Sequence, residues 1–445
     1  MPNITEIHEE IHAQSRLIVG VDVSKDKLNV YAEHANPGSG TREELDDQIR
    51  NRTVAIETML NEWADYADQN GLNGLLVVCE PTGGQEKRLM QTARRLGQET
   101  AYVNGEHVAK ASVIESGDQG KTDPMDARVI AMVAEMDKTQ EQRALEGEHA
   151  LLRELGRQYE AEDEAVVRTR NRLHDILGKL FCDYDKSKKF VFGSTGAAMA
   201  EVYGWNPYAI VKDGFETFRR KIKQEVKRVR ESTLKELWAQ AQQSTRFCMP
   251  AEQRKMLEGR LRQLWEDVKR HEARKEEIAT RMGELFTQLS RKGEAPDRIG
   301  DLDTAMMGRL IGESGPLSDF DHWREVLHYC GLNLYERESG KYKGQTKISK
   351  KGRSRFRKVL GQATFALVQK DGPFAAYFKR KRAEGTGYWK AMVATMRKLC
   401  KVLYGLARSG TTYDPARVRT CESQYAERQS AERQSAERQC APTAS

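Results

Sequence analysis

The sequence predicts an α/β domain, then a long helical region, then a mostly helical C-terminal domain. Three observations carry this. Between residues 17 and 136, short apolar runs alternate with segments of helical spacing, an α/β pattern. From about 143 to 290 strand signals almost vanish, and two long helical stretches stand out. From about 296 to 412, mixed helices surround a strongly basic stretch.

Taken in order, residues 1–16 read as a polar tail, and 17–140 as the α/β domain. Leu17 to Ala32 reads as a buried strand, a short turn and a second strand, with Asp22 interrupting the apolar run. Residues 43–70 read as one helix, from the spacing of Val54, Ile56, Met59, Leu60, Trp63 and Tyr66. Gly74 to Glu80 is a short apolar strand closed by Pro81-Thr-Gly-Gly84. A helix then runs to about Leu96, with Gly97 beyond its end. Thr100 to Asn104 is a further strand. At 121–133 a helix starts with Asp123 as cap and Pro124 at its first position.

Residues 141–295 form the helical region, with helices at about 146–181 and 256–289 and a basic insertion at 187–245. In the second helix Leu257, Leu261, Leu264, Val268, Ile278, Met282, Leu285 and Leu289 keep heptad spacing, a coiled-coil or bundle seam with His271 and Lys275 in its polar slots. That seam suits dimerisation or a spacer. The insertion carries a cluster from Arg219 to Arg230 that alternates with Glu, so it suits nucleic acid or a solvated face equally. Residues 296–415 form the C-terminal domain, and 416–445 a low-complexity tail repeating Ala-Glu-Arg-Gln-Ser.

The net charge of +7 is modest for 445 residues, so its distribution matters more than its total. Seven scattered cysteines without a C-x-x-C pair argue against a disulfide or zinc framework and for a reducing cytosol. There is no signal-peptide pattern and no apolar run of membrane-spanning length, which predicts a cytoplasmic protein with no membrane partner.

Asp22 is costly in an apolar strand unless it is paired or bound to a cation. Glu80 ends another strand, and Asp123 with Asp126 share one helix face at i, i+3. Alone, Glu80 is an ordinary strand-end residue and Asp123 an ordinary cap. Together the four suit a divalent cation, since clustered carboxylates repel one another without one and Mg²⁺ prefers hard oxygen ligands. Two such ions clamp the attacking and leaving oxygens of a phosphodiester.

The order Val-Gly-Val-Asp22-Val-Ser-Lys-Asp-Lys-Leu, then Glu80-Pro-Thr-Gly, then Lys121-Thr-Asp123-Pro-Met-Asp126-Ala-Arg resembles the DEDD transposases of the IS-one-ten insertion-sequence family. Glu338-Ser339-Gly340, Lys347-Ile-Ser-Lys-Lys-Gly352 and Leu403-Tyr-Gly-Leu-Ala-Arg-Ser-Gly410 look like that family's C-terminal domain. The resemblance covers about 17–136 and 296–415. It implies a RuvC-like, RNase H-like fold for the first region, with Asp22, Glu80, Asp123 and Asp126 as ligands of Mg²⁺ (or Mn²⁺). It implies that Ser339 is a nucleophile acting with the metals of the other domain. It also implies donor and target double-stranded DNA, a structured guide (bridge) RNA, and a homodimer or homotetramer.

Without the resemblance, Ser339 before a glycine is a turn residue. Residues 341–358 hold nine Lys or Arg and no acid, with Tyr342, Ile348 and Phe356 interleaved. Lys341, Lys343, Lys347, Lys350, Lys351, Arg353, Arg355 and Arg357 are therefore expected to contact phosphate. The function expected is a DNA transposase or recombinase. The alternatives are a RuvC-like nuclease or Holliday-junction resolvase without a serine intermediate, and an inactive nucleic-acid-binding scaffold.

Overall fold

The computed structural model describes residues 16–35, 42–116, 123–141, 145–247, 249–335, 338–339, 342–343 and 346–418, and only the backbone at 35, 115–116, 123–125, 140–141, 338–339 and 342–343. Residues 1–15 of the expected N-terminal tail, Lys341 and residues 419–445 of the expected low-complexity tail lie outside the described residues. The chain divides into two compact units, Met1–Ala144 and Leu145–Ser445.

The first unit is a six-stranded sheet between two helical layers. Its strands are β1 (Leu17–Val23), β2 (Lys27–Ala35), β3 (Arg42–Arg50), β4 (Leu75–Cys79), β5 (Glu99–Val103) and β6 (Thr139–Glu141), in the order β3-β2-β1-β4-β5-β6. β1, β4 and β5 are parallel, whereas β2, β3 and β6 run antiparallel to their neighbours. The helices are α1 (Thr53–Gln69), α2 (Lys87–Arg95), α3 (Gly105–Ser116) and α4 (Asp123–Glu135).

Strand alternation assigns the faces. Leu17, Val19 and Val21 of β1, with Leu75, Val77 and Cys79 of β4, pack on α1 and α2 through Ile56, Leu60, Leu89 and Met90. Val78 of β4 and Ala101 and Val103 of β5 pack on α3 and α4 through Val108, Val129, Ile130 and Val133. Gly20 lets α4 lie flush on β1: a Cβ there would sit 2.3 Å from the Ala127 carbonyl oxygen.

One expectation is corrected here. Residues 42–50 form β3, not the start of a helix; the helix begins at Thr53. Arg-Glu-Glu-Leu-Asp-Asp-Gln-Ile-Arg is largely exposed at the sheet edge, so it carries no apolar alternation to announce a strand. Such charge is how edge strands avoid pairing with other chains. α3 and the short β6 were also unannounced.

The second unit is built on two long helices, α5 (Gly147–Leu180) and α11 (Ala251–Arg291). They run antiparallel. Leu152 and Leu155 near the start of α5 share a core with Met282, Phe286 and Leu289 near the end of α11. Leu173 and Leu177 share another core with Leu257, Leu261 and Leu264. The heptad seam of α11 is thus covered within the chain. Its polar slots are satisfied the same way: His271 Nδ1 lies 2.5 Å from Glu162, and Lys275 lies 3.0 Å from Asp163. Dimerisation is not needed to explain this seam.

The insertion folds as five short helices, α6 (Lys188–Val191), α7 (Ser194–Tyr203), α8 (Pro207–Asp213), α9 (Phe215–Glu225) and α10 (Glu231–Ser244). Its fully buried Trp205 and Phe218 join the core at the α5–α11 end. Within the basic cluster, Arg219 and Lys223 pair with Glu231, and Lys221 pairs with Asp213. Three of the cluster's seven cations, Arg219, Lys221 and Lys223, are thus balanced internally.

The C-terminal helices are α12 (Thr304–Ser314), α13 (Trp323–Tyr329), α14 (Ser354–Val368), α15 (Pro373–Ala383) and α16 (Tyr388–Ser409). They share one core with the ends of α5 and α11. Gly308 and Gly312 let α12 approach the backbone of Met282 and Leu152. Between α13 and α14 stand two small antiparallel ladders, β7 (Leu334–Tyr335) with β10 (Lys347–Ile348), and β8 (Glu338–Ser339) with β9 (Tyr342–Lys343).

Candidate active site

In the first unit, β1 and β4 pair in register through Gly20↔Val78 and Val21↔Cys79. The next step puts Asp22 beside Glu80 at the carboxyl ends of two parallel strands. Neighbouring strands lie about 4.8 Å apart. By alternation both carboxylates share the face of Gly20 and Val78, the face that α4 crosses. Asp126, half-buried, precedes Ala127, whose carbonyl oxygen meets Gly20. Asp123 is the first residue of α4, and its side chain lies outside the described atoms.

Further polar groups support this face. Asn29 of β2, only 4% exposed, faces Asp22 across the ladder. Its Nδ2 donates to Asp22 Oδ2 at 3.3 Å, and its Oδ1 accepts from Gln48 Nε2 at 2.7 Å. This chain of bonds orients the carboxylate, and an unsatisfied buried amide would cost about 1–3 kcal/mol. Glu80 lies over the first residue of α3, where a Cβ on Gly105 would meet Oε2 at 3.3 Å. A carboxylate near a helix N-terminus is favourably placed. Sequence reasoning missed Asn29 and Gln48, whose only signal was a polar residue in an alternating strand. Among the described residues no group of three or more His, Cys, Asp or Glu is gathered closely enough to hold a metal ion. The sheet joins Asp22 to Glu80 and aligns α4 with them; it does not close the set.

In the second unit, Ser339 pairs with Tyr342 in the ladder of β8 and β9. Its side chain, like that of Lys343, lies outside the described atoms. The base of this arm is tightly fixed. Ser349 N donates to Asn333 O at 2.9 Å, Lys350 N to Gly331 O at 3.0 Å, and Arg353 N to Tyr329 O at 2.7 Å. Gly352 has φ +134, and a Cβ there would lie 2.6 Å from the Tyr329 carbonyl oxygen. Only glycine suits that close, left-handed position.

Behind the base lies a buried polar network. Arg153 of α5 donates to Gly312 O at 3.0 Å, Glu313 O at 3.1 Å and Tyr329 Oη at 3.0 Å. Burial pulls the Arg153 guanidinium below its ordinary pKa. The Glu313 carboxylate, on a residue 4% exposed, accepts from Arg353 Nε. Arg357 donates to Cys330 O at 2.9 Å, and Arg355 faces Glu160 at 3.8 Å. Arg353 and Arg357 therefore serve the fold. Exposed Lys347, Lys350 and Lys351 remain on the surface of the basic stretch.

No helix among the described residues is long and apolar enough to cross a membrane. The described cysteines, Cys79, Cys182, Cys330 and Cys400, are free thiols.

Comparison with known proteins bears on both regions. Residues 19–182 match a transposase family model, that of the DEDD transposases of IS110. Residues 301–379 match the model of the transposases of the IS116/IS110/IS902 family. An uncharacterized 44.8 kDa protein of insertion element IS116 from Streptomyces clavuligerus is 24% identical over 328 residues, 72% of this chain and 79% of that protein. An uncharacterized 42 kDa protein of insertion element IS900 from Mycobacterium paratuberculosis is 25% identical over 107 residues, 24% of this chain and 27% of that protein. The first match spans the sheet and its carboxylates, and the second begins just before α12 and runs through the serine arm into α15. The chain belongs to the IS110/IS116 family of transposases, whose work is DNA strand cleavage and transfer.

Proposed function

We propose that the protein moves its insertion element with two groups, the carboxylates Asp22, Glu80, Asp123 and Asp126 on an RNase H-like (RuvC-like) sheet, and the hydroxyl of Ser339. The observation that carries the first group is the register of β1 and β4, which sets Asp22 beside Glu80 on the face crossed by α4. The antiparallel β3-β2-β1 followed by parallel β4 and β5 supports the RNase H-like reading. The donors are all hard carboxylate oxygens, which suit Mg²⁺ or Mn²⁺. When bound, such an ion supplies Lewis acidity to phosphate oxygens.

In the covalent step the Ser339 hydroxyl gives up its proton and its oxygen bonds to a DNA phosphorus. One P–O bond of the strand breaks, and the departing sugar oxygen takes a proton. The phosphoserine ester conserves the bond energy, so a sugar hydroxyl from the exchanging strand reverses the step without an external energy source. The partners in this reading are donor and target duplex DNA and a structured guide RNA, handled by a homodimer or homotetramer. Exposed Lys347, Lys350 and Lys351 are suited to phosphates near the serine.

Strand transfer in Mg²⁺, with denaturing gels to capture protein–DNA adducts, tests this. Ser339→Ala is expected to abolish the adduct and lower transfer by at least about a thousandfold, and Asp22→Asn to do the same to transfer. Cleavage that persists in Ser339→Ala without any adduct would instead favour a metal-dependent nuclease.

A further inference from the structure

Among the described residues, two grooves large enough to hold a ligand have linings that differ in charge. The groove along α5, α11 and α12 is about 730 Å³ and sets Glu276, Glu284 and Asp303 against Arg291 and Arg309. That mixture favours no polyanion. The other groove, about 700 Å³ in the α/β unit, is lined by Lys25, Lys87, Arg88 and Arg95 and by no Asp or Glu. Its remaining lining is amide, hydroxyl and glycine, with no aromatic ring. In a chain with nearly balanced charge, an acid-free lining of this kind is not mere background.

The groove opens at a telling place. Lys25 lies in the turn that follows β1 and Asp22, and Gly84 and Gln85 lie in the loop that follows β4 and Glu80. The groove thus opens at the carboxyl end of the sheet, the end at which open α/β sheets take their ligands, on the α1–α2 side of the strand ends whose carboxylates face α4. Its floor is built, not incidental. Asn51, 4% exposed, donates from Nδ2 to Ser24 O at 2.9 Å and to Gln85 O at 3.4 Å. Arg88 donates to the Asn51 carbonyl and, at 3.3 Å, to its Oδ1. One buried amide therefore ties together the turn after Asp22, the loop after Glu80, and α2. Arg95 leans on Glu57 at the rim. Lys25 and Lys87 are exposed and make no ion pair among the described residues.

We propose that this groove binds the phosphodiester backbone of a nucleic-acid strand and lays it across the carboxyl end of the sheet, over the strand ends that carry Asp22 and Glu80. The assignment rests on the transposase reading of those carboxylates. Lys25, Lys87 and Arg88, which make no ion pair among the described residues, with Arg95 at the rim beside Glu57, match a row of phosphates. The absence of aromatic rings removes base stacking, so recognition is of backbone and independent of sequence.

The test is equilibrium binding of the full chain to a labelled duplex DNA, a single-stranded DNA and an RNA of one sequence, across a KCl series. The Lys25→Gln/Lys87→Gln double variant is expected to bind at least one probe about tenfold more weakly while keeping the melting temperature of the parent. Its log–log salt slope falls by about 1.8 for a duplex or about 1.4 for a single strand. The probe that loses affinity names the strand the groove holds. Should the double variant melt below the parent, the single substitutions each carry half the change in slope. Unchanged affinity and slope for all three probes would overturn the groove alone. An Asp22→Asn control keeps the slope of the parent while losing transfer. A parent that binds no probe would overturn the transposase reading itself.

Discussion

The two regions proposed to carry the chemistry are held in opposite ways. Asp22 sits inside a strand paired on both sides, and β1 bonds to β2 and β4 along nearly its whole length. The regular sheet fixes its carboxylate, with Asn29 adding the last constraint. Among the described residues, Ser339 sits in a ladder of two residue pairs. What is firm there is the base, where Gly331, Gly352 and Arg353 lock the arm to the end of α13. In the first region geometry comes from secondary structure; in the second it is borrowed from tertiary contacts. Faults in the sheet should therefore cost stability and activity together, whereas faults behind the arm should cost activity more than stability.

The sharpest pair of variants is Gly20→Ala and Gly352→Ala. At Gly20 the new methyl would lie 2.3 Å from the Ala127 carbonyl oxygen and 2.6 Å from the Ala131 amide nitrogen. No rotamer can relieve a clash with backbone, so α4 must shift off β1. We expect a loss of about 3 kcal/mol in denaturant melts, and transfer at background. At Gly352 the strain of φ +134 adds to a clash with the Tyr329 carbonyl oxygen. The expected cost is about 2–3 kcal/mol, with the serine adduct lost at temperatures where the protein is still folded. If Gly352→Ala instead loses adduct only as it unfolds, the comparison fails.

Glu313→Gln probes the same arm from behind. It removes the charge that faces Arg353 and leaves Arg353 and Arg153 near one another without it. Breaking a buried pair of this kind costs about 2 kcal/mol or more. Adduct formation should fall further than that destabilisation explains, while the nucleic-acid affinity of the α/β unit's groove stays put. An equal fall in both would mean that Glu313 serves general stability.

Much of this was visible in the sequence, and the reasons are uneven. β1, β2, β4 and β5, and the helices α1, α5 and α11, announce themselves because burial imposes a period on apolar residues. Asp22 stood out because a carboxylate breaks such a run. β3 did not, since an exposed edge strand has no buried face to pattern. Asn29 and Gln48 look like ordinary outward-facing strand residues until α4 is known to cover that side. Arg153, Glu313 and Arg353 lie far apart in sequence, so their meeting is decided by packing that no local pattern encodes. The heptad of α11 was plain, but its partner was not: a seam read from sequence does not say whether a second chain or α5 fills it.

The smallest effect concerns the loop after Glu80. Glu86 holds it, accepting from Thr82 Oγ1 at 2.8 Å and from Gly84 N at 2.7 Å. Burial alone would raise the pKa of this carboxyl, but hydrogen bonds from its own amide, Thr82 and Gly84 outweigh burial and hold it below the ordinary carboxylate value. The folded state thus binds the Glu86 proton less readily than the unfolded chain does. Its contribution to stability is complete above the ordinary value of about pH 4.3 and is lost as the pH falls through the depressed folded value. Glu86→Gln should cost about 1 kcal/mol at neutral pH and nothing at the acid end, so its melting temperature should vary less with pH than that of the parent. Parallel pH profiles for the two proteins would show that Glu86 does not order the loop, and the sheet's end would then owe its shape to Asn51 alone.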